Sequence, residues 1–204
     1  LNTRTFELTP ELILSAYAQG YFPMAEGPNG RIGFYAYEPR GVIPLDHRFT
    51  VRRSLRQIIK KDLFEIRFNT RFSDVINTCS REGELPNHEI WLSKEMIKNY
   101  QILHQQGYAH SVEVFEREHG RLIGGLYGLT LGRAFFGESM FSRAPYASQL
   151  ALVALVERLR ERNFMLLDAQ MSSKHLKQFG LMEYGHEEYM QLLADALEGE
   201  AAFG

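Results

Sequence analysis

Cysteine is almost absent from the chain: Cys79 stands alone among 204 residues. A lone thiol excludes an internal disulfide and a cysteine-rich zinc site, and it fits a reducing, cytoplasmic setting. Long apolar runs are missing as well. None approaches the roughly 18 residues that a membrane-spanning helix needs, and no basic-then-apolar leader opens the sequence, so no membrane partner is expected. Neither sign of charge is in excess. The 23 Lys and Arg against 25 Asp and Glu leave a formal net charge of −2, so contact with a polyanion has to come from a local basic patch. The 7 histidines are scattered without ligand spacing. HEIWL and HEEYM both lack the second histidine of the H-E-x-x-H zinc signature, and no metal is expected. No G-x-x-x-x-G-K-[ST] run occurs, which excludes that nucleotide-hydrolysing loop. GESMF (Gly137–Phe141) comes within one glycine of the serine-hydrolase elbow, but it lies inside a strand pattern and not at a strand-to-helix turn, so that class is excluded too. No internal repeat or low-complexity tract is present. The length suits one large domain or a domain with a small appendage, with core enough to stand without staples.

What is present reads as helices first and a meander second. LTPELILSAYAQG predicts a helix, with Thr9 as N-cap, Pro10 at the first position and Gly20 as the stop. The Gly-, Pro- and aromatic-rich stretch that follows predicts loops and short strands, with a small N-terminal unit over 1–38 and the main domain over 39–204. FTVRRSLRQIIKK predicts a second helix whose Val51, Leu55, Ile58 and Ile59 form one buried stripe. FEIRFN alternates as a strand. RFSDVINTCSR and LSKEMIKNYQILHQQG predict helices, the latter ended by Gly107. HSVEVFE, RLIGGLYGLTL and RAFFGESMFS predict three strands joined by turns at His119-Gly120 and Gly132, an antiparallel meander. A helix over 148–163, a short strand FMLLDAQ, a helix SSKHLKQFG stopped by Gly180 and a last helix from EEYMQLLADALEG complete the order. Helices, meander, helix, strand, helix makes an α+β fold.

Three features carry chemistry. Glu138 is a lone carboxylate in the apolar third strand. Asp168 and Gln170 alternate with Leu167 and Ala169 on one face of an apolar strand, where polar groups need partners or a purpose; a hydrogen-bonded pair that fixes the sheet and a reactive pair both fit. Arg52, Arg56 and Lys60 recur at helical spacing beside Arg53 and Lys61, with no acid from Arg48 to Lys61. Such a patch holds phosphates by counterion release, although a solvated helix face has the same pattern. Trp91 reads as core or as a stacking platform, and Leu126, Phe135 and Met140 read as core. The meander-helix-strand order suggests a GNAT-type acyltransferase. The strand-to-helix junction SRAPYASQLAL, however, has no glycine turn of the kind that cradles a pyrophosphate, which argues against coenzyme A as the donor. A non-catalytic tRNA-binding protein is the other alternative; it has no use for Glu138, Asp168 and Gln170 around one cavity.

AYAQGYFPM, PRGVIPLD, AHSVEVFE, IGGLYG, GRAFFGESMFSR and LLDAQ, in that order, closely resemble the leucyl/phenylalanyl-tRNA–protein transferase family from about Leu8 to the final helix. The GESMFSR run with a downstream D-x-Q is the specific part. The resemblance implies a GNAT-like C-terminal domain, no metal or organic cofactor, a cytoplasmic and monomeric protein, and aminoacyl-tRNA (Leu-tRNA, Phe-tRNA) as donor. It implies acceptor proteins with an N-terminal Arg or Lys, which the added residue marks for degradation. By the same resemblance Asp168 polarises Gln170, whose carbonyl takes a hydrogen bond from the attacking amine, and Glu138 lies beside that centre. Leu126, Phe135, Met140 and Leu155 line the pocket for the donor side chain. Trp91 stacks on the terminal adenine, and Arg52, Arg53, Arg56, Lys60 and Lys61 form the tRNA-binding cluster. The sequence departs from the family at Met24, where many members have Trp, and over Phe34–Pro39, where they have a double tryptophan; Tyr35 or Tyr37 is the available substitute.

Overall fold

The computed structural model describes residues 7–81 and 83–204; the first six residues of the expected 1–38 unit lie outside the described residues. The chain runs α1 (Pro10–Ala18), β1 (Phe22–Ala25), β2 (Ile32–Tyr35), β3 (Arg40–Ile43), α2 (Arg53–Lys60), β4 (Phe64–Phe68), α3 (Phe72–Ser80), α4 (Lys94–Gln105), β5 (Ala109–Glu116), β6 (Leu122–Leu131), β7 (Ala134–Ser142), α5 (Ala147–Glu161), β8 (Leu166–Gln170), α6 (Lys174–Lys177), β9 (Met182–Tyr184) and α7 (His186–Leu197). β1 and β2 form a small hairpin, and the other seven strands form one sheet in the order β4-β5-β6-β7-β8-β3-β9. Every neighbouring pair is antiparallel except β7–β8. The fold is α+β, as the order of elements predicts.

Local chemistry sets the helix ends. Thr9 Oγ1 accepts the Leu12 N–H at 3.2 Å, Ser93 Oγ accepts that of Met96 and Ser173 Oγ that of Leu176, each satisfying a first-turn donor. Helices cover both faces of the sheet. Ile13 and Tyr17 of α1, Val75 and Ile76 of α3, Met96 and Tyr100 of α4, and Tyr189 and Leu193 of α7 pack with Tyr127, Leu129 and Phe136. Leu55 of α2 and Leu150, Leu155 and Leu159 of α5 pack with Val112, Leu126, Phe135 and Leu167 on the other side. Adjacent residues such as Leu126 and Tyr127, or Phe135 and Phe136, thus enter opposite cores, as strand alternation requires. Leu8, Tyr17 and Phe22 are buried in the same core as Phe72 and Tyr100.

Two readings need correction. The basic helix begins at Arg53, so Val51 precedes it and Arg52 is its cap residue. Of the expected stripe Leu55 is buried, Val51 and Ile58 are partly covered, and Ile59 is 42% exposed. A two-turn helix against α5 buries only one row of side chains. The sheet also extends past the meander: β4 joins one side, while β3 and β9 close the other beyond β8.

Candidate active site

The site lies where the two parallel strands part. β7 and β8 pair only from Ala134–Leu166 to Phe136–Asp168. Beyond that point β7 stays with β6 and β8 stays with β3, and both strands carry an irregularity. Tyr127 pairs with Ser139 and Gly128 with Gly137, so Glu138 has no partner on β6 and is the extra residue of a bulge. Gly41 pairs with Gln170 and Val42 with Asp168, leaving Ala169 as the extra residue on β8. Bulges bend a strand and re-aim its side chains. The first one places Glu138 on the α1/α4 side with Phe136, then shifts the phase of the strand so that Met140 faces α5. Gly128 makes this possible, because a Cβ there would come within 2.2 Å of the Phe136 carbonyl oxygen. At the end of the same hairpin Gly124 lets α5 start close to the sheet; its Cβ would meet that of Ala147 at 2.5 Å.

Glu138 is half-buried and receives three donors. Tyr17 Oη donates to Oε1 at 2.5 Å, Tyr100 Oη to Oε2 at 3.1 Å, and Gln170 Nε2 to Oε1 at 3.0 Å. The two tyrosine hydroxyls lie 3.0 Å from each other. Burial, and then the charge of Glu138, push both phenols well above their ordinary range, so both are donors. Burial pushes the Glu138 carboxyl up to about 7 against the pull of those hydrogen bonds, with nearby Asp168 adding to the rise.

Asp168 is fully buried and saturated. Arg40 grips it through Nε at 3.0 Å to Oδ1 and Nη2 at 2.7 Å to Oδ2, and Tyr189 Oη donates to Oδ2 at 2.7 Å. The guanidinium is held in turn by the Gly20 carbonyl at 3.1 Å and lies over the rings of Phe22 and Tyr189. The Gln170 backbone N–H reaches Asp168 Oδ1 at 2.7 Å, which anchors Gln170 at a left-handed φ of 60°. The structure therefore brings Glu138, Asp168 and Gln170 together, but with a different wiring from the expected one. Asp168 holds the backbone of Gln170, and Glu138 holds its side-chain amide. With Nε2 on Glu138, the amide carbonyl oxygen is the end that can accept.

A cavity of about 440 Å³ opens beside this cluster. Leu126, Met140 and Leu155 line it as expected, joined by Ile43, Leu152 and Leu176. Phe135 does not line it. Its side chain is fully buried behind that wall, 5.6 Å from the ring of Phe203, because Phe135, three residues before the bulge, points into the core under α5. Trp91 is half-buried against the first core and is not part of the cavity wall. Its segment runs beside β1, with the Ala25 N–H on the Trp91 carbonyl at 2.8 Å. Tyr35 and Tyr37 are 42% and 40% exposed, and Tyr37 stacks on Phe22 at 5.5 Å. Arg52, Arg53, Arg56, Lys60 and Lys61 are all exposed, on the side of the sheet that holds α5. Arg56 is the one whose Nε is tied down, on the Val51 carbonyl at 2.9 Å. Sequence reading missed Arg40, Tyr17 and Tyr100. Nothing in their spacing points to Glu138 or Asp168; only an arginine in an apolar strand, PRGVI, hints at a buried partner.

The family profile described as Leucyl/phenylalanyl-tRNA protein transferase matches residues 42–194, and that of its N-terminal domain matches 6–36. The chain belongs to this family. It is 48% identical to a leucyl/phenylalanyl-tRNA–protein transferase of Rubrobacter xylanophilus over 96% of this chain and 98% of that one. Against a protein of the same name in Akkermansia muciniphila the identity is 48%, over 94% and 97%. Its activity is accordingly an aminoacyl transfer from tRNA to protein. Among solved structures it resembles FemX, with a TM-score of 0.53 at 13% identity over 86% of this chain and 66% of that one. It also resembles L-PGS from Bacillus licheniformis, with a TM-score of 0.51 at 13% identity over 92% and 70%. At such identity the likeness establishes the GNAT-like fold alone. Among the described residues no helix is long and apolar enough to cross a membrane, and no group of three or more His, Cys, Asp or Glu is placed to hold a metal ion.

Proposed function

We propose that this transferase moves leucine or phenylalanine from Leu-tRNA or Phe-tRNA to the N-terminal Arg or Lys of acceptor proteins, which marks them for degradation. We take it to act as a cytoplasmic monomer in which residues 1–38 form a unit contributing Tyr17 to the site. The observation that carries this reading is the Gln170–Glu138 hydrogen bond across the parted strands at the head of an apolar cavity.

The donor ester is already activated, so the protein's task is to position two reactants. The donor side chain enters the cavity between Leu126, Met140 and Leu155, where shape disfavours a β-branched residue. An α-amine has a reference pKa near 7.7–8 and is partly neutral at physiological pH. It gives an N–H to Gln170 Oε1 and attacks the ester carbonyl carbon. The amide C–N bond forms, the bond from that carbon to the ribose 3′ oxygen breaks, the amine loses a proton, and the ribose oxygen takes one up. Because Nε2 of the same amide donates to the Glu138 carboxylate, the charge there polarises the Gln170 carbonyl and strengthens it as an acceptor. Asp168, held by Arg40 and Tyr189, fixes the backbone that presents Gln170. The basic residues around α2 hold tRNA phosphates without reading bases, and Trp91, with Tyr35 or Tyr37, stacks on the terminal adenine.

A coenzyme A donor is disfavoured by α5. Tyr146, before its first turn, is left-handed at φ 69°, the Ala147 N–H goes to the Ala144 carbonyl, and the Ser148 N–H goes to Ser142 Oγ at 3.3 Å. Amides that a pyrophosphate would need are already engaged. The test is a transfer assay with radiolabelled Leu-tRNA and a peptide beginning with Arg. Label on the peptide supports the reading. Stable tRNA binding without transfer, or acylation from acyl-coenzyme A, overturns it.

A further inference from the structure

The acceptor is a polypeptide, and once its first residue is at Gln170 the rest of the chain has to leave the site along some surface. Two more hollows share lining residues with the cavity or with each other. Met140, on the cavity wall, also lines a hollow of about 310 Å³ with Arg81, Glu84 and Phe141. Thr78 and Arg143 line that hollow and also a groove of about 720 Å³ that reaches Asp74 on α3, Arg71 just ahead of it and Arg121 just ahead of β6. Linked by these shared residues, the three follow one another along the end of the sheet at which β7 and β8 part. Resting on the function proposed above, we propose that this groove seats the acceptor polypeptide downstream of its N-terminal residue, in extended form.

Charge favours a polypeptide over nucleic acid here. Arg71 pairs with Asp74, Arg81 with Glu84, and Arg121 with Glu116. With three of its four arginines neutralised by these carboxylates, the path lacks the unbroken basic stripe that a phosphate backbone needs, whereas an uncharged main chain needs none. Arg143 is the exception. Among the described residues it has no carboxylate partner; its Nη2 lies 3.4 Å from Thr78 Oγ1 and its guanidinium 5.5 Å from the Phe141 ring. It is exposed midway along the path and offers donors to passing peptide carbonyls.

The experiment compares Arg-initiated acceptors of two, four and eight residues, with donor saturating. The wild-type KM should fall as the peptide lengthens. Arg143→Ala should raise KM for the eight-residue acceptor about tenfold, the scale of one charge-assisted hydrogen bond, and leave the two-residue acceptor and the tRNA Kd unchanged. Asn77→Arg, on the exposed face of α3 at the groove floor, should raise KM for long acceptors by obstruction. Equal effects on short and long acceptors, no length dependence in the wild type, or a weakened tRNA Kd with a shallower salt slope would each overturn the groove assignment. Failure of the wild type to transfer to any acceptor would instead overturn the function on which it rests.

Discussion

Replacing Tyr17 by Phe removes one hydroxyl and keeps the buried ring. That hydroxyl is the shortest donor to Glu138, 2.5 Å from Oε1. Burial, with a smaller push from Asp168, drives the carboxyl up, and the two tyrosines oppose the rise, which ends at about 7. Losing one hydrogen bond to a charged group costs about 1.5–3 kcal/mol, which is roughly one to two pKa units. In the variant the carboxyl should therefore titrate well above its wild-type value. If the ionised form is the active one, the ratio of variant to wild-type kcat/KM follows the two ionised fractions. At pH 7 the wild type is about half ionised and the variant about 1–10%, so the ratio falls by roughly 5- to 50-fold. Near pH 9.5 it should climb back toward one. The substrate amine also titrates in this range, but equally for both enzymes, so it cancels in the ratio. The assay is label transfer from Leu-tRNA to an Arg-initiated peptide between pH 6 and 9.5. A ratio that is low but flat with pH would mean that Tyr17 only supports packing. A ratio near one throughout would mean that the charge on Glu138 does not matter, and the polarised-amide scheme would fall with it.

Glu138→Gln should cut turnover by at least about a hundredfold, on the scale of general catalytic groups, and yet stabilise the fold at alkaline pH. A carboxyl raised in the folded state contributes stability that is present below its unfolded pKa and lost as pH rises through about 7, so the gain in thermal midpoint should appear above pH 5 and grow toward pH 8. Arg40→Ala leaves the Asp168 carboxylate buried and unpaired, and chemical denaturation should show a loss of about 3–5 kcal/mol. Met140→Ala enlarges the cavity at a half-exposed position, and the Phe-to-Leu ratio of kcat/KM should rise about tenfold, the scale of one to two methylenes. The double variant Arg53→Ala/Arg56→Ala should weaken tRNA binding, reduce the log Kd–log salt slope by roughly 1 to 2, and leave kcat unchanged.

The elements with a clear period were legible in the sequence. Thr9 caps its helix as expected, and Gly107, Gly120, Gly132 and Gly180 all adopt positive φ at the stops and turns expected of them. The convergence of Glu138 with Asp168 and Gln170 was legible mainly through family resemblance. Their actual wiring was not, for two physical reasons. A bulge leaves no trace in composition: AFFGESMFS reads as an unbroken alternation, which puts Phe135 and Met140 on opposite faces, whereas the extra residue at 138 turns both to the α5 side, Phe135 in the core and Met140 on the cavity wall. And partners across the fold have no spacing rule. Arg40 is 128 residues from Asp168, and Tyr17 is 121 from Glu138.

The two carboxylates differ because their surroundings do. Asp168 has an arginine, a phenol and a backbone amide and sits as a fixed anchor at the last regular pairing of β8 before its own bulge. Glu138 has hydroxyls and an amide, none of them cationic, and sits on a bulge at a cavity mouth. A salt-bridged acid would have suited the core hairpin better and would have stayed ionised at every physiological pH. An acid balanced by neutral donors is one whose charge the environment can set, and it holds the Gln170 side chain by its amide nitrogen, the end opposite the carbonyl proposed to meet the amine. Strand divergence, bulge and tyrosine pair are thus one arrangement. The parting of β7 from β8 makes the space, the bulge turns Glu138 into it, and Tyr17 and Tyr100 determine how much of its charge reaches Gln170.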